Sequence, residues 1–268
     1  MPILLSRRAT GFVGRIACSL LFSCCVSEAW AEIVTNLSLP ISHVVTVQPI
    51  IVSNTDGSNT AGYMGDVAQT AAIQFNIDLI WSQAGIDVDW LAPNLWNNSL
   101  ANVGNLLSTQ RRPQADLGQI VIDGIIGGVA HPDPLVLNMY FVEIVPGFSQ
   151  TTLLTANGLS LTPGNGSALH IGDNLPGAII GGQPLGQELA AKTIAHEIGH
   201  NLGLDHSLEP RNMMLAMDTL PPINAQLNAA QTTLAQSSPY ATAVPEPSAV
   251  VFLGMVAAIG YRHRRRAA

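Results

Sequence analysis

The chain is poor in cysteine and in basic residues. Its three cysteines, Cys18, Cys24 and Cys25, all lie within the first 25 of 268 positions. Everything beyond them must hold together without disulfides, which a domain of about 200 residues with a full core can do. The same scarcity removes cysteine zinc sites and thiol nucleophiles from consideration. Of 11 lysines and arginines, seven sit at the ends: Arg7, Arg8 and Arg15 at the start, and Arg262, Arg264, Arg265 and Arg266 at the finish. Between positions 32 and 243 only Arg111, Arg112, Lys192 and Arg211 remain, against 16 acidic residues. Phosphate backbones are held by basic patches, so nucleic acid is not an expected partner. The acidity suits solubility, Ca²⁺ or basic substrates.

The ends read as targeting segments. Residues 1–31 have the form of a secretory signal peptide. A basic start leads into a short apolar region at 16–26, and Ala29-Trp30-Ala31 makes a cleavage site before Glu32. A lipoprotein cut before Cys24 is the weaker alternative, because Phe22 is bulky where a small residue is wanted. At the other end, Val244-Pro245-Glu246-Pro247-Ser248 precedes 13 apolar positions, 249–261, and then Arg262-His263-Arg264-Arg265-Arg266. A spanning helix needs about 20 apolar residues, so this reads as a processed tail with transient membrane contact. The basic cluster would stay on the cytoplasmic side. The expected plan is a signal peptide at 1–31, a catalytic domain at 32–222, a linker at 223–243 and a tail at 244–268.

Between these ends the pattern alternates. Residues 44–52 are apolar and β-branched, as in a strand, and 53–60 are rich in turn formers. Ile73, Ile77, Ile80 and Ala84 recur at helical steps within 66–84, and Gly85 is placed to end that helix. Residues 86–90 alternate as a half-buried strand. A long loop is expected at 92–118, strands at 119–126 and 135–145, and two short strands within 159–171 around Pro163-Gly164-Asn165-Gly166. A helix is expected at 187–202, and a polar helix or linker beyond Met217. The expected fold class is α/β, of the α+β type, with a mixed twisted sheet and the helix at 187–202 over a small irregular C-terminal part.

That helix carries the chemistry. His196 and His200 are four residues apart, which puts both imidazoles on one helix face, one turn apart. Ile194, Ile198 and Leu202 form a separate stripe for the core. Gly203 is suited to break the helix and bring His206 back as a third ligand. Three neutral imidazoles leave the charge of Zn²⁺ intact and its fourth position open. Glu197, beside the first ligand, is in the place of the general base. With this composition, a chance match to all five fixed positions is on the order of 10⁻⁵.

The run His196-Glu197-Ile198-Gly199-His200-Asn201-Leu202-Gly203-Leu204-Asp205-His206 resembles the metzincin clan of metallopeptidases. The resemblance implies an α+β fold of the zincin type with this helix at the active site, a catalytic zinc, peptide-bond hydrolysis in a protein or peptide substrate, and a methionine turn beneath the ligands. Met214, eight residues past His206, fits that turn better than its competitor Met213. This spacing, with Ser207 after the ligand, resembles the matrixin branch. Asn201 is reminiscent of adamalysins, whose disulfides are absent. Ala216 stands where astacin-like relatives have a tyrosine, and the matrixin Pro-x-Tyr segment is missing. The C-terminal pattern resembles the PEP-CTERM sorting signal of Gram-negative bacteria. That implies export, cleavage near Pro245 by an exosortase-type enzyme, and an extracellular or cell-surface destination.

Other residues have plainer readings. His170 is a core or surface histidine before it is a substrate contact, and His43 and His131 belong to loops. Asp56, with Asn54, Gly57 and Asn59, offers oxygen ligands to Ca²⁺, though a solvated turn is the simpler account. Asp205 either orients an imidazole or faces solvent. The functional expectation is a zinc endopeptidase. Its rival is a non-catalytic surface or biofilm-matrix protein that keeps the fold for binding.

Overall fold

A computed structural model describes residues 33–104, 113–148, 156–179, 184–216 and 223–244. The segment expected as a signal peptide, 1–31, and the part of the expected tail beyond Val244 lie outside the described residues. The elements run in the order β1 (Ile33–Val34), β2 (His43–Ser53), α1 (Val67–Ser82), β3 (Ile86–Trp90), β4 (Asn94–Asn97), α2 (Ser99–Val103), α3 (Pro113–Ile126), β5 (Leu137–Phe141), β6 (Ala156–Ser160) and β7 (Ser167–Ile171). A 3-10 turn at Leu175–Gly177 follows, then α4 (Gly186–Asn201), β8 (Ile223–Asn224), α5 (Ala229–Gln236) and β9 (Thr242–Ala243).

The main sheet runs β3-β2-β5-β7-β6. Strands β3, β2, β5 and β7 are parallel, and β6 joins β7 antiparallel as the edge. The long β2 pairs β3 at its start and β4 at its end on one side. Helices cover both faces, so β5 and β7 are buried along their whole length. Alternation then sorts the side chains. Val45, Val47, Leu137, Met139, Phe141, Leu169 and Ile171 join α1 and α4 in the larger core. Ile50, Val52, Tyr140, Val142 and Ala168 face α3 in the smaller one.

Local sequence explains most of the elements. Asp66 caps α1 and Gln69 returns the bond, a reciprocal pair that fixes the helix start. Ile73, Ile77, Ile80 and Trp81 bury the inner face of α1. Gly85, at φ +62°, makes the turn into β3 that an L side chain would resist.

Three expectations need correction. Residues 119–126 are not a strand but the second half of α3. Leu117, Ile120 and Val121 face the core at helical spacing, while Ile122, Ile125 and Ile126 are exposed. Gly124 lies on the packed side, where an added Cβ would overlap the Tyr140 ring. Packing on the sheet thus outweighs the β-propensity of a run of isoleucines. The stretch 92–118 is not simply a loop, since β4, α2 and the start of α3 fall within it. Finally, the segment expected as a linker, 223–243, is packed structure. It forms β8, α5 and β9, and it buries Ile223, Ala225, Leu227, Ala235 and Ala241. β8 pairs β1, and β9 pairs the start of β2. Gln83 ties this return to α1, donating to Ala225 O at 2.6 Å and accepting from Leu227 N at 2.8 Å.

Candidate active site

The C-terminal end of α4 brings the motif together. Ala190, Ala191, Ile194, Ala195 and Ile198 are buried in the larger core, which fixes the rotation of the helix. His196 and His200 stand on the remaining face. The helix then ends on three backbone bonds: Leu202 N to Ile198 O, Gly203 N to His200 O and Leu204 N to Gly199 O, each 2.9 Å. Gly203 takes φ +97°, the left-handed turn expected of it. Leu204 is buried beyond the turn, so the chain is pulled inward before it reaches His206.

The three histidines converge. Their candidate ligand nitrogens all lie within 4.8 Å of one another. His200 Nε2 and His206 Nε2 are 3.1 Å apart. Tetrahedral zinc with Zn–N of about 2.0–2.1 Å would separate its ligands by about 3.3 Å, so the triad fits that ion. Backbone carbonyls set the tautomers. His196 Nδ1 lies 3.0 Å from Met213 O, and His200 Nδ1 lies 2.8 Å from Leu204 O. A carbonyl can only accept, so each Nδ1 donates and each Nε2 is left to the metal. Burial pushes the His196 imidazole down to about 4, and the nearby His200, His206 and Lys192 add to that. Burial and His206 lower His200 as well. Both shifts favour the neutral, metal-binding form.

Beneath the helix lies the segment expected as a methionine turn. Met213 and Met214 are both fully buried. A Cβ built on Gly199, between the two helical ligands, would stand 2.6 Å from the Met214 sulfur and 3.2 Å from the Met213 methyl. Met214 forms the nearer floor, and Met213 contributes its methyl and the carbonyl that orients His196. The turn is pinned from the C-terminal side. Met213 N donates to Gln226 O at 2.8 Å, and Met214 N donates to Asn212 Oδ1 at 2.9 Å. Asn212 Nδ2 in turn donates to Gln231 Oε1 on α5 at 2.8 Å.

Glu197 is 4 % exposed and faces the edge strand. Burial pushes its carboxyl up to about 7, opposed by a hydrogen bond from Ser160. The Ser160 hydroxyl donates to Glu197 Oε2 at 2.6 Å. Gly158, on the same strand, leaves room for the carboxyl, since an added Cβ there would overlap it. Ser160, Gly158 and Gly199 were not singled out by the sequence reading. The first two are remote in the chain from Glu197, and only the strand register brings them there.

The other candidates separate from this site. His170 is buried on β7, its Nδ1 3.3 Å from Val142 O, and shares a face with Ala168 away from α4. Asp205 is exposed, and its charge favours the imidazolium of His200. The Asp56 carboxylate is taken up by Ser58, through its amide at 2.9 Å and its hydroxyl at 2.6 Å. Among the described residues, the histidine triad is the one grouping of side chains suited to a metal ion.

Among solved structures, metalloproteinase-II from Bacteroides fragilis aligns at 14 % identity and TM-score 0.41, over 74 % of this chain and 56 % of that one. The chain therefore spans little more than half the length of that protein. Archaemetzincin from Methanopyrus kandleri aligns at 15 % identity and TM-score 0.35, over 72 % of this chain and 88 % of that one. Archaemetzincin from Archaeoglobus fulgidus, complexed with malonate, aligns at 16 % and 0.37, over 76 % and 96 %. Likenesses at this level carry no argument about activity. No curated protein matches the sequence. The model of the reprolysin-like metallopeptidase family M12B matches residues 64–207, from before α1 through the third histidine. The match takes in more than half of the sequence, and the chain belongs to the reprolysin-like M12B metallopeptidase family.

Proposed function

We propose that this protein is a zinc-dependent endopeptidase acting on proteins outside the cell, with Glu197 as its general base. The observation that carries the reading is one buried carboxyl beside three converging imidazoles. His196, His200 and His206 would hold the ion. Bound zinc would supply a lowered pKa for a water molecule and polarise the scissile carbonyl. Glu197 takes the proton of the attacking water on its carboxylate and returns it to the leaving amine. A carboxyl at about 7 suits both steps near neutral pH. Met213 and Leu204 keep two imidazoles in the tautomer the ion needs. An extended substrate would add to β6, the edge of the sheet on the side of Glu197. The adjoining strand β7 is already paired on both sides.

The leader and tail patterns support export, maturation at Glu32, and removal of the tail near Pro245 by an exosortase-type enzyme. The destination would be the surface or surroundings of a Gram-negative cell. The intact mass of the exported protein tests this, and a product that keeps residues 248–268 would refute the processing. For the chemistry, the zinc-loaded protein is offered casein and a peptide library. Glu197→Ala is expected to lower cleavage by about 10²–10⁴-fold with zinc retained. Equal cleavage by the variant would sink the mechanism. No cleavage by the loaded wild type would favour the rival, a fold retained for binding at the cell surface.

A further inference from the structure

We infer that Ser160 is a positioning residue for Glu197, held in place by Ser167 and Asn201. This rests on Glu197 being the base of the proposed reaction. Four buried side chains form a closed arc. Ser160 Oγ lies 2.6 Å from Glu197 Oε2 and 2.7 Å from Ser167 Oγ. The Ser167 hydroxyl donates to Asn201 Oδ1 at 2.6 Å. Asn201 Nδ2 donates to Gly166 O at 3.1 Å and Leu161 O at 3.3 Å, which fixes the orientation of its amide. All four residues are at most 4 % exposed.

The arc depends on three elements at once. Glu197 and Asn201 are one turn apart on α4. Ser160 and Ser167 are register partners across β6 and β7, so their side chains share the face turned to that helix. Glutamate has three rotatable bonds, and its carboxyl lies against the backbone of Gly158, where an added Cβ would overlap it. Among the described residues, the Ser160 hydroxyl is the hydrogen-bond partner that fixes the carboxyl end. A hydroxyl suits the task because it both donates and accepts. With the carboxyl ionised, the single Ser160 proton goes to Oε2; with it protonated, Oε2 donates to Ser160 Oγ and the Ser160 proton passes to Ser167, whose own proton is held by Asn201 Oδ1. The strand that carries Ser160 is also the sheet edge proposed to take substrate. One strand thus sets the base relative to the bond it serves.

The test uses the zinc-loaded full chain with Ser160→Ala, Ser160→Thr and Ser167→Ala. Isotope-edited infrared difference spectra against Glu197→Gln isolate the Glu197 carboxyl band without needing activity. Ser160→Ala is expected to shift that band. It should also lower kcat about 10- to 100-fold, with KM and zinc content near wild type, as misplacement of a catalytic group does. Ser160→Thr, which keeps the hydroxyl, should restore most of kcat. Should Ser160→Ala fail to fold, Ser167→Ala carries the test, with a band shift and a smaller loss of kcat. An unshifted band, an unchanged kcat, or a loss that merely tracks zinc content would each overturn the assignment. A loaded wild type that cleaves nothing would instead defeat the peptidase reading, leaving the infrared band to decide whether Ser160 holds Glu197.

Discussion

The amide of Ser207 donates to the carbonyl of Met214 across 2.9 Å. That single bond ties the segment bearing the third histidine to the turn beneath the first two. The neighbouring carbonyl, Met213 O, accepts from His196. Two of the three histidines are therefore positioned by the backbone of one buried turn.

Gly199→Ala tests that dependence. Alanine in a helix interior ordinarily gains about 0.5–1 kcal/mol over glycine. Here the added methyl group would stand 2.6 Å from the Met214 sulfur, in a fully buried site. Overpacking should reverse the sign and cost about 1–3 kcal/mol. Zinc affinity should fall by about 10- to 100-fold as the turn is displaced. Thermal melts and zinc titration measure both. A variant more stable than wild type would show that the turn yields freely.

His206→Ala should separate metal binding from folding. Zinc at 100 times its Kd stabilises a protein by about 2.7 kcal/mol. The wild type should therefore melt higher as zinc is added. The variant, with two imidazoles left, should lose most of that rise while its zinc-free melt stays close to wild type, since His206 is exposed. Equal zinc responses would remove His206 from the ligand set.

Gln83→Ala should unfasten the C-terminal return. Its side chain serves the backbone of Ile80, Ala225, Leu227 and Asn36. Each buried group left without a partner costs about 1–3 kcal/mol. Because Gln226 O holds Met213 N, weaker zinc binding should accompany the loss of stability. A denaturant midpoint and a zinc titration unchanged from wild type would return 223–243 to the status of a linker.

Asp78 predicts a pH-dependent effect away from the active site. Its carboxyl is pushed up to about 6, first by burial and then by the charge of Asp87. One of its oxygens, Oδ1, is buried without a hydrogen-bond partner. A carboxyl whose folded pKa lies above its ordinary value of 3.8 favours the folded state while protonated. The penalty of ionising it grows as pH rises from about 4 and is complete above about 6. Asp78→Asn should therefore raise the melting temperature at pH 8 and leave it nearly unchanged at pH 4. A gain of equal size at both pH values would assign the effect to something other than ionisation.

The histidine triad was legible in the sequence because its geometry is local. A four-residue spacing on a helix, a glycine at the break and a histidine three residues later define their geometry with little help from the rest of the chain. The same holds for α1, whose isoleucine period and Asp66–Gln69 cap lie within one segment. Elsewhere local signals misled. Isoleucines at 120–126 have the propensity of a strand, yet they form α3 because Leu117, Ile120 and Val121 meet the sheet at helical spacing. The stretch at 223–243 looks like a linker, since apart from alanine its apolar residues are only Ile223, Leu227, Leu234 and Tyr240. It is held by strand pairing to β1 and β2 and by Gln83, none of them near it in the chain. The sequence by itself determined which side chains can hold the ion and which can act as base. Only the tertiary structure decided what orients them. Ser160, Ser167, Gly158, Met213 and Gln226 reach the site through strand register and chain return, which are long-range pairings that no local spacing encodes.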